Sequence, residues 1–156
     1  NNWPFAAVTL LARNAKQMYE GTVGLGTFSQ CLEIAKMPVV YNGDIFTEED
    51  LAKLQVRFPK VSAWMIGRGA VRDPALPCRI RGTLVGDARK ELVAFVKEYS
   101  ECSKAESCGP SPFLGRIKEF WSYFKDGVTD GDYIWKRLRT AKTFEDFDIA
   151  LAPFFS

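Results

Sequence analysis

"VSAWMIGRGAVRDP", residues 61–74, is a short apolar run that stops abruptly in Gly-Arg-Gly. From Val61 to Ile66 the run is continuous rather than alternating, the pattern of a buried strand. Gly67 and Gly69 permit backbone angles or close approaches that a side chain would forbid. Arg68 adds a fixed positive charge with a fork of donors. Together they point to an anion held at a strand end, although Gly-x-Gly in that position is more often just a tight turn. The stretch upstream repeats the layout. "MPVVYNGDIFTEEDL", residues 37–51, reads as a strand from Val39 to Tyr41, then Asn42-Gly43-Asp44, then a helix start. Thr47 and Asp50 have capping-box spacing ahead of "LAKLQVRF". Asn-Gly is also a hairpin signal, but a helix rather than a second strand follows. A third strand, "FAAVTLLAR" at 5–13, precedes a polar loop and the helical stretch "FSQCLEIAKM" at 28–37. Strands alternating with helices predict βα units and a parallel sheet.

Two adjacent glycine-rich βα loops have a known physical use. In (β/α)8 barrels a phosphate often sits over the loops that follow the seventh and eighth strands. Backbone N–H groups and a short helix N-terminus supply the positive field. The residues therefore predict the last part of such a barrel, with a phosphorylated ligand over Asn42, Gly43 and Asp44 and over Gly67, Arg68 and Gly69. A complete barrel needs roughly 250 residues, and the chain has 156. The expected class is α/β: a partial (β/α)8 TIM barrel of about the last three βα units, followed by a small all-α domain. The expected boundary divides residues 1–83 from 84–156, within "RIRGTLVGD", where Gly82 and Gly86 punctuate the chain.

Beyond that boundary, "ARKELVAFVKEYSECSKA" places Leu92, Phe95, Val96 and Tyr99 on one helical face. Pro110 and Pro112 interrupt the chain, and Ser111-Pro112 reads as an N-cap and first helical position. The following helix carries Phe113, Ile117, Phe120, Trp121 and Phe124, whose spacing is that of a core face more than of a stacking surface for bases. Thr143 and Asp146 repeat the capping-box pattern before "FEDFDIALAPFF".

A net charge of +2 does not announce a nucleic-acid binder. Local basic runs remain at Arg79 and Arg81 and in "WKRLR" from Trp135 to Arg139; the latter reads equally as a solvated helix face with Trp135 and Leu138 turned inward. The chain has no histidine, and its cysteines at 31, 78, 102 and 108 lack metal-site spacing. Cys31, in an apolar helix, reads as core. Reduced thiols and a cytoplasmic location are the default, with no signal-like or membrane-spanning segment.

The paired segments "YNGDIFTEEDL" and "VSAWMIGRGAVRDPAL" closely resemble the flavin-dependent tRNA-dihydrouridine synthases. "VTLLARNAKQMYEG" is similar to that family's His-x-Arg, Gln-x-Tyr, Gly segment, and the tail from "FLGRIKEFWSYF" resembles its helical tRNA-gripping domain. The resemblance covers nearly the whole chain. It implies FMN as cofactor, held through its phosphate by Asn42, Gly43, Asp44, Gly67, Arg68 and Gly69, with NADPH as reductant and uridine in tRNA as substrate. It also implies RNA contacts at Arg116 and Lys118, and at Arg13, Gln17 and Tyr19 near a flipped uridine. Two departures stand out. The family's acid cysteine and flavin-contacting lysine lie in segments this sequence does not contain, so no catalytic residue is expected here. Leu11 stands where the family has histidine and cannot donate a hydrogen bond. The leading expectation is a portion of a synthase, inactive alone, whose raw strand edges pair with the missing N-terminal half barrel or self-associate. A non-catalytic RNA-binding or assembly module derived from that fold, or another FMN-dependent barrel oxidoreductase, are the alternatives; the helical tail opposes the last.

Overall fold

Three parallel strands lie side by side in the order β1-β2-β3: β1 (Val8–Leu11), β2 (Val39–Asn42) and β3 (Ala63–Met65). They belong to a computed structural model that describes residues 4–14, 16–17, 20–83 and 86–156. Helices α1 (Leu25–Ile34) and α2 (Glu48–Arg57) connect them, giving the expected βα alternation. Contacts divide the chain into two units, Asn1–Ala70 and Val71–Ser156. The helix α3 (Arg68–Arg72) carries the chain from one into the other.

In the first unit the central strand is the most buried. Val39 and Tyr41 of β2 point into the core, where Tyr41 meets Phe28 of α1 edge-on with ring centroids 4.9 Å apart. Phe58, just past α2, packs edge-on against the same Phe28 at 5.0 Å. Such edge-to-face pairs add to the stabilisation that burial alone provides. The capping box before α2 forms as the sequence predicts: Thr47 Oγ1 accepts from Asp50 N–H, and the Asp50 carboxylate accepts from the Thr47 N–H.

β3 departs from its reading as a buried strand. Ala63 is exposed and Met65 is 48% exposed. The cause is its place in the sheet: among the described residues β3 pairs with β2 alone, so an apolar run suited to a covered strand lies at an edge. α1 also begins and ends earlier than the predicted 28–37, closing before Lys36 and Pro38.

The second unit contains only helices among its described residues. These are α4 (Leu76–Ile80), α5 (Ala88–Ala105), α6 (Pro110–Phe124), α7 (Gly131–Leu138) and α8 (Phe144–Phe155), with a short 3-10 helix, Lys125–Gly127, between α6 and α7. Phe113, Ile117, Trp121 and Phe124 of α6 are buried and pack with Ile134, Leu138, Phe147, Leu151 and Phe154. The α6 face is thus core, as its helical spacing implies. The helix starts two residues earlier than predicted. Pro110 is the first helical residue and Gly109 caps it at φ 121°, an angle that favours glycine. On α7, Leu138 is buried and Trp135 half-buried, while Lys136, Arg137 and Arg139 face solvent. The four cysteines are unpaired, with Cys31 half-buried and the others exposed. Among the described residues no helix is long and apolar enough to cross a membrane, and no cluster of side chains could hold a metal ion.

Candidate anion-binding site

Strand register brings the site together. Leu11 pairs with Asn42, and Asn42 pairs with Met65, so the last residues of all three strands stand in a row. The loops that follow must therefore leave from the same end of the sheet. The loops at 42–46 and 67–69 meet around one cavity of about 240 Å³, whose lining includes Leu11, Arg13, Gly43, Asp44, Arg68 and Gly69.

Glycine is required at two of these positions by contact. A Cβ on Gly69 would lie 1.9 Å from the Ile45 carbonyl oxygen, so the 67–69 loop can pack on the 42–46 loop only without a side chain there. A Cβ on Gly43 would lie 2.3 Å from the Tyr41 hydroxyl. At Gly67 a Cβ would meet nothing within 4 Å. Below the loops, Tyr41 is fully buried and its hydroxyl has no hydrogen-bond partner among the described residues. Burial, then the nearby Asp44 carboxylate, raises its pKa above 10.0, with Arg13 and Arg57 opposing. It stays protonated at neutral pH.

Charge at the cavity is set by three side chains. Asp44 pairs with Arg13 through one carboxylate oxygen and with Arg68 through the other, the latter at 2.7 Å. One carboxylate thus holds two guanidiniums at the cavity wall. The site combines a cavity between two closely packed segments, glycine where a side chain would intrude, and two guanidiniums at its wall. Among the described lining residues none is a thiol, imidazole or lysine. A neighbouring cavity of about 150 Å³, lined by Leu10, Leu11, Phe28 and Cys31 among others, is mainly apolar.

The remaining expected contacts are Arg13, Gln17, Tyr19, Arg116 and Lys118. The Arg13 side chain is only 3% exposed and donates to the Glu20 and Gly21 carbonyls at 2.7 and 3.1 Å. It ties the loop after β1 to Asp44. Gln17 is committed within the same loop, accepting from Asn14 N–H and donating to the Thr22 carbonyl, each at 3.1 Å. Tyr19 lies outside the described residues. In the helical unit, Arg116 is exposed and pairs with Glu106 at 2.8 Å. Lys118 is half-buried and donates to the Ala141 carbonyl at 2.7 Å. Two residues apart on a helix, they do not share a face. The Arg13–Asp44–Arg68 bridge was not foreseen from the sequence. The signal for it was an acidic residue in a loop otherwise suited to anions, which implies that the acid has a cation to hold.

Residues 5–123 match the family model described as Dihydrouridine synthase (Dus). The tRNA-dihydrouridine(16) synthase of Shewanella oneidensis is 27% identical over 146 residues, covering 90% of this chain and 45% of that protein. The tRNA-dihydrouridine(16) synthase of Neisseria meningitidis is 26% identical over 153 residues, covering 94% of this chain and 45% of that protein. The one from Ralstonia nicotianae is 33% identical over 124 residues, covering 77% and 37%. The chain thus spans less than half the length of these relatives.

Proposed function

Because this chain belongs to the dihydrouridine synthase family, we propose that it supplies the phosphate end of an FMN site and a tRNA-binding helical domain to a tRNA-dihydrouridine synthase. The observation that carries the reading is the meeting of the 42–46 and 67–69 loops at one cavity with Arg68 on its wall. Gly43 and Gly69 would keep side chains out of the phosphate's place, and Arg68 would oppose its charge. When bound, FMN reduced by NADPH supplies the hydride chemistry that turns uridine into dihydrouridine.

Residues 1–83 would form the last βα units of a TIM barrel and residues 84–156 the domain that grips tRNA, in the cytoplasm. Within the helical domain Arg116 is the better phosphate contact, being exposed and held only by a surface ion pair. Uridine reduction would require further barrel elements, including the acid cysteine, which no residue lining the cavity replaces. A second reading, a non-catalytic RNA-binding module, is favoured by Leu11. It is 52% exposed and places an apolar side chain at the cavity.

The test combines the chain with FMN, NADPH and unmodified tRNA, with and without an N-terminal half barrel carrying the acid cysteine. Dihydrouridine is expected only in the combined sample. Turnover by the chain alone would overturn the need for the other half. Intact tRNA binding without turnover in the combined sample would favour the non-catalytic module.

A further inference from the structure

Asp44 is an unexpected residue at the wall of an anion site, since its own charge repels an anion. It stands there between two arginines in unlike surroundings. Behind it, the Arg13 side chain is almost fully buried and is fixed by the carbonyls of Glu20 and Gly21. In front, Arg68 is partly exposed, with its guanidinium 5.7 Å from the Phe46 ring centroid and 2.7 Å from Asp44 Oδ1. A guanidinium is a planar fork, so a bond to one of its nitrogens constrains the direction of the others.

We propose that Asp44 is a positioning residue: braced by Arg13, it orients the Arg68 guanidinium toward an incoming phosphate oxyanion. This rests on the reading of the cavity as a phosphate site. The arrangement lowers the rotamer freedom that Arg68 loses on binding, which is how preorganisation raises affinity. It also couples the loop after β1 to the anion loops, since Arg13 holds both that loop and Asp44.

The sign of one substitution separates this role from simple charge. Asp44→Asn removes a negative charge beside the site, and by Coulomb attraction alone that tightens anion binding. If Asp44 positions Arg68, the same change weakens it. The chain is titrated with inorganic phosphate while the amide signals of Gly43, Gly67 and Gly69 are followed by NMR. Arg68→Ala is expected to abolish the phosphate-dependent shifts, and Asp44→Asn to weaken binding on the order of tenfold, as loss of a charge-assisted contact would. Adding Asp44→Asn to Arg68→Ala should cause no further weakening, because the two act through one group. Arg13→Lys keeps the charge but not the fork; it should weaken binding in the same direction, and it carries the test if Asp44→Asn does not fold. Tighter or unchanged binding in Asp44→Asn, or unchanged binding in Arg13→Lys, with Arg68→Ala defective, overturns the positioning role alone. Unchanged binding in Arg68→Ala overturns the phosphate site itself, and this role with it.

Discussion

Single atoms decide what glycine does in the anion loops. Gly67 and Gly69 are two residues apart and read alike in sequence, yet a Cβ fits at one and not at the other. Gly67→Ala is expected to change stability by no more than about 0.5 kcal/mol, the usual range for a surface change. Gly69→Ala should cost about 1–3 kcal/mol through overpacking on the Ile45 carbonyl, reversing the usual gain of alanine over glycine in a helix. Urea unfolding of the two variants checks the contrast, and equal effects would contradict it. Arg116 and Lys118 separate in the same way. Arg116→Ala should leave stability nearly unchanged and lower the salt slope of tRNA binding by about 1. Lys118→Ala should cost about 1.5–3 kcal/mol by removing a charged donor from the Ala141 carbonyl. The sequence shows that both are basic and that Ile117 between them is core. It does not show which carbonyl lies within reach of Nζ, because that partner is 23 residues away.

Elements whose signals are local were the most legible. Both capping boxes, at Thr47 and Thr143, were readable because every partner lies within four residues. The second one gives α8 a pH dependence. The N–H groups of Lys142 and Thr143 donate to Asp146 at 2.8 and 3.0 Å and hold its pKa below 3.8. A carboxylate depressed on folding stabilises fully above its unfolded pKa, and that contribution is lost as pH falls through the folded value. α8 should therefore fray below pH 3.8, and Asp146→Asn should flatten this acid dependence when helicity is followed by circular dichroism. An identical acid profile for wild type and variant would contradict the assignment. Thr143→Ala should cost about 1 kcal/mol by removing the cap acceptor. β3 was less legible for the opposite reason. Its apolar run records what the strand is suited to contact, and the described residues do not supply that contact.

At the scale of the molecule, β1 and β3 present outer edges that pair with no further strand among the described residues. Phe5, Leu11 and Met65 are exposed in the same unit. Open edges with apolar neighbours favour pairing with another chain, so the chain should self-associate with rising concentration unless a complementary half barrel is added. Sedimentation across a concentration series tests this, and a monomer throughout would contradict it. The βα alternation and the glycine loops were evident in the sequence because each is written in contiguous residues. That these loops meet is expected from their repeated strand–glycine–helix layout, and strand register is what brings them together. The most direct test of the phosphate assignment compares FMN with riboflavin, which has the same ring but no phosphate, by equilibrium titration of the chain and of Arg68→Ala. FMN should bind the unsubstituted chain on the order of tenfold more tightly than riboflavin, as expected for charge-assisted hydrogen bonds to a phosphate, and Arg68→Ala should erase most of the difference. Equal affinity for the two flavins, or a preference for FMN untouched by Arg68→Ala, would contradict it.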